Sequence, residues 1–462
     1  MIFSSMRRFA LVAAALQTVQ GLKLDIDDTA SVRSTTSTIA HELMSYYKGN
    51  VSGGATVGIL PMPYYWWEAG AMWGGMLDYF HLTKDDTYNK QISEALLSQI
   101  GPAKDYVVPA QQFDEGNDDQ AFWGFSVMSA AEQNYTPPPR GTPSWLQLVT
   151  NLWNTQVPRW DTTKCGGGLK WQIYKSNAGY DYKNSVSNGA FFQLAARLAR
   201  YTGNHTYVEW ADKAWDWTRA VGLIDDDYNV YDGTDDLTNC TSLDHTQYSY
   251  NTAVYLYGAA VMYNYTNGSS IWEERTTGLL NASAYFFSPF KNSSNVMFER
   301  SCETKSSCNT DAQSFKAYLS RFMWATTVVA PFTRSAISTQ LRTSARGAAA
   351  ACAGGKARTT CGSRWYTNGW DNLFGVGQQL SALEVIQGLL IEDAPPPRTG
   401  PNVHLGTTPA SASTVPVPEP ISTATPAPAD PTTSKSAGTH GKRLAAGGLF
   451  GAGLALGMAG NA

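Results

Sequence analysis

Two aspartates stand side by side at Asp118 and Asp119, flanked by the amides of Asn117 and Gln120 in the run GNDDQAFWG. A single Asn or Asp here would cap the helix that carries Trp123, accepting one of its orphan N–H groups. Capping needs only one such side chain, and the run supplies two carboxylates and two amides. Cleavage of a glycosidic bond with retention uses two carboxyl groups roughly 5 to 5.5 Å apart, one as nucleophile and one as acid and then base. Successive helical residues point about 100° apart, so convergence requires the first turn of the helix or the loop before it. Mutual repulsion would raise one pKa, leaving a protonated acid beside an ionised nucleophile that a helix N-terminus favours. Asp27–Asp28, Asp85–Asp86 and Asp235–Asp236 are also acidic doublets, but they lack the amide and aromatic company.

Three further segments carry a similar load: PYYWWEAGAMWGG, SNAGYDYKNSVSNG and SLDHTQYSYNTAVY. Each mixes carboxylate or amide groups with aromatic rings, which suit sugar-stacking clefts as well as large cores. Something must bring these four segments together. Between residues 31 and 391 the apolar periodicity is helical, broken by Gly, Pro, Asn and Asp clusters, and strand-like alternation is rare. Aligning the turns FHLTKDDTY, EQNYTPPPR, ARYTGNHTY, YNYTNGSSI and APFTRSAIS superimposes Thr83, Thr136, Thr202, Thr266 and Thr333, at spacings of 53, 66, 64 and 67 residues. Each turn joins a helix rich in Gly, Ala and aromatics to one richer in Glu and Lys. Five helical hairpins result. The first helix, near Ser31 to Tyr47, and the last, near Asn368 to Ile391, supply a sixth. The expected fold is all-α, an (α/α)6 barrel whose small-residue helices form the inner ring. An open α-solenoid, binding along a concave surface, is the alternative. Closure would set the loops that enter the inner helices around one axial cleft.

The two ends differ from this body. Arg7 and Arg8 precede the short apolar run FALVAAAL, so residues 1–21 read as a secretory signal and the folded domain as 22–393. Eight sequons agree with export, at Asn50, Asn134, Asn204, Asn239, Asn264, Asn267, Asn281 and Asn292. Six cysteines would pair in an oxidising compartment. Closeness in sequence joins Cys302 to Cys308 and Cys352 to Cys361, leaving Cys165 for Cys240. A zinc site would want a CxxC pair and more histidine. Residues 394–435 turn to Pro, Thr, Ser and Ala, the composition of a disordered stalk. Residues 436–462 place small residues, a short polar spacer and an apolar tail in the order of a GPI-attachment signal, with Ser436 as the attachment site. Membrane contact would be by that lipid alone. A net charge of -4 with 16% charged residues excludes the basic surface that nucleic acid requires. Asp225, Asp227, Asn229 and Asp236 are spaced somewhat like a calcium loop, but Val230 stands where such loops require Gly. No metal and no other cofactor is expected.

The segments PYYWWEAGAMWG, GNDDQAFWG, CGGGLKWQI, YDYKNSVSNGAFFQLAARLAR, CNTDAQSFKAYLSR and CGSRWYTNGWDNLFGVGQQLSALEV together resemble the fungal members of glycoside hydrolase family 76, GPI-anchored mannan endo-1,6-α-mannosidases. The resemblance covers nearly all of residues 25 to 392. It implies an (α/α)6 barrel and retaining chemistry on α-1,6-linked mannose, with Asp118 as nucleophile and Asp119 as general acid/base. It also marks Lys183, Asn184, Asn188, Tyr250 and Asn251 as sugar-binding, and Trp66, Asn117, Gln120, Trp123 and Asp181 are expected beside them. For the fungal branch it implies action on α-mannan or the mannose core of a GPI glycan, with wall β-glucan as acceptor. The glycosyl intermediate of a retaining enzyme passes to water or to a sugar hydroxyl according to the acceptor site. A catalytically silent glycan-binding wall protein is the competing reading. A sugar epimerase or unsaturated-uronide hydrolase would lean on histidine, and His41, His81, His205 and His245 are the histidines of the folded region.

Overall fold

The computed structural model describes residues 21–49 and 57–401, together with residues 403 and 405. Twelve α-helices occur among them: α1 (Thr29–Tyr46), α2 (Trp66–Thr83), α3 (Asn89–Ser98), α4 (Asn117–Glu132), α5 (Trp145–Gln156), α6 (Ser185–Thr202), α7 (His205–Ala220), α8 (Ser249–Tyr265), α9 (Ser270–Ala282), α10 (Phe315–Val329), α11 (Arg334–Ala351) and α12 (Val376–Gln387). Local chemistry starts several of them: the side chains of Asp28, Ser144 and Asn204 accept backbone N–H groups at the heads of α1, α5 and α7.

Burial separates two classes. The even-numbered helices are covered on every side, and α6 is buried from Ser185 through Arg200. By contrast α3 buries only Ile92, Ala95 and Leu96. A helix apolar all round belongs inside and a one-sided one outside. The inner helices pack in the order α2, α4, α6, α8, α10, α12 and back onto α2, so the ring closes. The open solenoid is therefore excluded. The sixth pair forms from the two ends as expected, α1 lying against α12. Small residues let the inner helices touch: a Cβ on Gly70 of α2 would stand 2.8 Å from the Trp123 ring of α4.

The threonine repeat has a physical cause. Thr83, Thr202 and Thr266 sit at the ends of α2, α6 and α8, and their hydroxyls donate back to the carbonyls of Tyr79, Leu198 and Met262. Thr333 does the same to Ala330, while Thr136 accepts the Trp145 indole N–H through its carbonyl. At this end of the ring, buried ion pairs tie neighbours together: Arg197 of α6 with Glu132 of α4, and Arg321 of α10 with Asp78 of α2 and Glu384 of α12.

The opposite end, where every inner helix begins, carries the long loops. A three-stranded antiparallel sheet, β1 (Tyr182–Asn184), β2 (Gly233–Asp235) and β3 (Leu243–Asp244), sits there with Asn184 opposite Gly233. A second pair joins β4 (Cys352–Gly354) to β5 (Thr360–Cys361). The disulfides are Cys165–Cys240, Cys302–Cys308 and Cys352–Cys361, the pairs that spacing suggested. No helix among the described residues is long and apolar enough to cross a membrane.

One boundary is corrected. A disordered stalk was expected from Ala394, yet residues 394–400 run across the far end of the barrel. Arg398 N–H donates to Glu132 O, Gly400 N–H to Tyr201 O, and the Arg200 guanidinium to the carbonyls of Pro397 and Arg398. His81 meets the Pro395 carbonyl. Residues 1–20 of the secretory signal, the stalk from residue 406 onward, Asn50 and Ser436 lie outside the described residues.

Candidate active site

The mouth is built around the first turn of α4. Gly116 is its N-cap, and Asp118 and Asp119 are its second and third residues. The segment before the helix is held as if in a sheet: Asn117 N–H donates to Trp171 O, the Asn117 amide donates to Lys170 O, and Gly116 bridges to Gln172. Both carboxylates turn toward Gly116. A Cβ there would press into Asp118 Oδ1 and lie 3.0 Å from Asp119 Oδ2 and 2.9 Å from Trp171 O. One oxygen of each aspartate thus flanks the same methyl-sized point, so the two are no more than roughly 5.5 Å apart, closer than the roughly 6.5 to 9.5 Å of an inverting pair.

Asp118 is 7% exposed. Its Oδ1 accepts the Asp119 N–H at 3.1 Å and its Oδ2 accepts the Asn184 amide at 3.2 Å. The Asn184 amide has no freedom to turn, because its oxygen caps α6 by accepting the Ser187 N–H. Burial pushes Asp118 up to about 7, against the pull of these donors, and the Asp232 charge adds to the rise. Asp119, half-buried, accepts the Gly116 N–H at 2.6 Å. Its pKa is driven well above the carboxylate range, by burial first and then by the charge of Asp118. The doublet therefore favours one proton held on Asp119.

Other acids lie near the doublet, none with an ion-pair partner among the described residues. Asp232, at the start of the small sheet, accepts the Tyr182 hydroxyl at 3.0 Å and the Asn251 amide at 3.2 Å, and burial raises it to about 6. Asp311 accepts the Trp67 indole N–H at 3.2 Å and is likewise raised by burial to about 6. Glu68 caps α2 through the Tyr65 N–H, leaves its Oε1 without a partner, and is pushed by burial to about 8. Tyr250, half-buried, stacks flat on Phe315 with centroids 3.8 Å apart and feels the charges of Asp232, Asp118 and Asp311.

The structure divides the expected sugar-binding residues into two groups. Asn184, Tyr250 and Asn251 gather around Asp118 and Asp232, and Asp181 is exposed at the rim. Six others are corrected, since their contacts are with residues of the walls and not with the acids of the site. Trp123 is sandwiched between Trp66 and Tyr106, and the Trp66 N–H is spent on Gln99. Asn117 and Gln120 receive hydrogen bonds from Arg159. Lys183, fully buried, donates to the carbonyls of Asp161, Lys164 and Gly167 and pairs with Asp161. Asn188 bonds both the N–H and the carbonyl of Leu169. These six hold the walls.

Sequence reasoning missed Glu68, Asp232 and Asp311: the partners of Asp232 and Asp311 come from distant segments, and Glu68 accepts from the head of its own helix. The acidic loop around Asp225 is closed on itself, with that carboxylate accepting from Asn229 and Tyr231, while Asp236 pairs with Lys170. Among the sequons, Asn134, Asn239, Asn267, Asn281 and Asn292 are exposed and Asn204 is half-buried. The Asn264 amide is spent on Arg200 and Val329, which leaves it badly placed to carry a glycan.

The pattern of glycosyl hydrolase family 76 matches residues 31–400. The chain belongs to that family. Among relatives, the mannan endo-1,6-alpha-mannosidase DCW1 of Saccharomyces cerevisiae is 48% identical over 393 residues, covering 85% of this chain and 86% of that one. The crystal structure of Dfg5 from Chaetomium thermophilum, in complex with glucosamine, superposes with a TM-score of 0.78 at 44% identity, over 81% of this chain and 94% of that one. A family 76 α-1,6-mannanase of Salegentibacter sp., solved with α-1,6-mannotriose as an inactive variant in which two consecutive aspartates are asparagine, shares the fold at a TM-score of 0.61. It is 16% identical, over 78% of this chain and 99% of that one.

Proposed function

We propose that this family 76 chain is a retaining, endo-acting α-1,6-mannosidase or transglycosylase, with Asp118 as nucleophile and Asp119 as general acid/base. The convergence of the two carboxyls on Gly116 carries this reading. Asp119, holding its proton, would protonate the departing glycosidic oxygen while ionised Asp118 attacks the anomeric carbon. The deprotonated Asp119 would then activate the incoming hydroxyl. Water and a sugar hydroxyl are equivalent reactants for that second step. The substrate we infer is α-mannan or the mannose core of a GPI glycan, with wall β-glucan as acceptor, in keeping with the activity named for the yeast relative. Secretion, a stalk and a lipid anchor at Ser436 belong to the same proposal.

A mannose-configured covalent inhibitor, followed by peptide mapping, tests the roles. Label is expected on Asp118, and label elsewhere would overturn the assignment. Asp118→Asn and Asp119→Asn variants that still rescue cells lacking the protein would favour a catalytically silent wall protein. Incubation with a GPI-glycan fragment and a β-glucan oligosaccharide separates hydrolysis from transfer.

A further inference from the structure

Beside the cleft, a second recess of about 710 Å³ opens between residues 245–248, which lead into α8, and residues 285–307, which lead toward α10. Four rings line it: Tyr248, Tyr285, Phe290 and Phe298. Tyr366 braces Phe290 and Phe298 from behind, with centroids 5.1 and 5.8 Å away. The recess takes its charge from Arg300 and Lys305, with His245 across from them, and no carboxylate lines it.

That absence has a structural reason. The two acids of the same segment point into the barrel wall, where Glu299 accepts from the Ser249 hydroxyl and Glu303 pairs with Lys316 at 2.6 Å. Arg300 lies 4.2 Å over the Tyr285 ring. Neither Arg300 nor Lys305 has an ion-pair partner among the described residues. The Cys302–Cys308 disulfide closes the loop that carries Lys305. Tyr248 is the shared wall between recess and cleft, its ring 6.2 Å from that of Tyr250.

We propose that this recess binds a phosphate ester carried by the glycan whose neutral sugars fill the cleft, an inference that rests on reading the cleft as a glycan site. The rings offer flat faces for a sugar. Arginine and lysine without acid partners are suited to an anion, and three donor-bearing side chains from two loops match the three free oxygens of a phosphate monoester better than the two of a carboxylate. Around the doublet the side chains are acids with no cation paired to them, so an anionic substituent finds its partners only beyond the Tyr248 wall. One glycan spanning that wall would be read twice, by shape at the doublet and by charge at the recess.

The test is calorimetric binding of α-1,6-mannobiose phosphate monoester, the unphosphorylated disaccharide and the matching uronate, to the wild type and to an Arg300→Gln/Lys305→Gln double variant. The wild type is expected to bind the phosphorylated sugar at least tenfold more tightly than the neutral one and more tightly than the uronate, with the preference weakening as salt is added. The double variant should lose the preference while cleaving neutral α-1,6-mannan at the wild-type rate, and Arg300→Lys/Lys305→Arg should retain it. Equal affinities in the wild type, or a preference that survives the double variant, would overturn the proposal. A protein that cleaves no mannan yet keeps the charge-dependent preference would sink the enzymatic reading and uphold this one.

Discussion

Replacing Gly116 by alanine tests the geometry of the doublet with one methyl group. The backbone at Gly116 has φ -98°, which alanine adopts without strain, so any effect is one of space. The added carbon would lie 2.9 Å from Trp171 O, a backbone atom held by its own pairing, and would intrude on Asp118 Oδ1 and Asp119 Oδ2. Real Cβ contacts do not fall under 3.0 Å, and the carbonyl cannot yield cheaply, so the two carboxylates must. A displacement of about 1 Å at reacting groups costs on the order of 10²-fold in rate, about 2.7 kcal/mol of barrier. The expected outcome is a kcat on α-1,6-mannan oligosaccharides lowered about a hundredfold with KM little changed, because sugar contacts away from the doublet are untouched. Gly369, where a Cβ would meet nothing within 4 Å, provides the control, and Gly369→Ala should retain full activity. Thermal denaturation of both variants checks the fold. Gly116→Ala with wild-type kcat and an unchanged Tm would refute the idea that this point sets the spacing of the carboxyls.

Asn184→Ala removes a donor that lowers the Asp118 pKa, so the acidic limb of the kcat/KM profile should move to higher pH, with about 1 kcal/mol of stability lost from the α6 cap. A profile that does not move would separate Asn184 from the nucleophile. Glu68 and Glu115, the latter buried just before the α4 cap and accepting the Val108 N–H, near 8, Asp118 near 7 and Asp232 near 6 are all raised by burial, so the folded chain holds protons that the unfolded chain releases. Their contribution is complete below about pH 4 and is lost as pH rises through 6 to 8. Tm should therefore be higher at pH 5 than at pH 8, and Glu68→Gln should flatten the difference. Lys183→Met strips the bonds to three carbonyls and leaves Asp161 without that partner. A loss of about 3 kcal/mol is expected in denaturant titration, and a raised KM with unchanged stability would restore Lys183 as a sugar contact.

The barrel was legible because its repeat has a cause that survives in residue types: a threonine that bonds back to the helix it ends, near residues 83, 202 and 266. The doublet was legible because Asn117 to Gln120 hold more polarity than one cap explains. Trp123 and Lys183 misled for a shared reason, since an aromatic or a cation at the mouth has the same sequence appearance whether it faces sugar or braces the wall. Only the surroundings from other hairpins decide, Tyr106 for one and the carbonyls near Cys165 for the other. Asp311 went unnoticed because the indole that binds it is 244 residues away. The strap was hidden by its prolines, which suggest disorder although the Pro397 carbonyl accepts from Arg200.

That strap gives the molecule a mechanical polarity. The chain leaves the barrel at the end opposite the carboxylate doublet, after being stitched to Glu132, Tyr201 and Arg200. A tether attached beyond residue 400 would therefore pull on the end of the barrel opposite the doublet. Tension on the tether would be borne first by the strap's hydrogen bonds and by α4 and α6 at their trailing ends. The first turn of α4, one helix length away, would be spared the load.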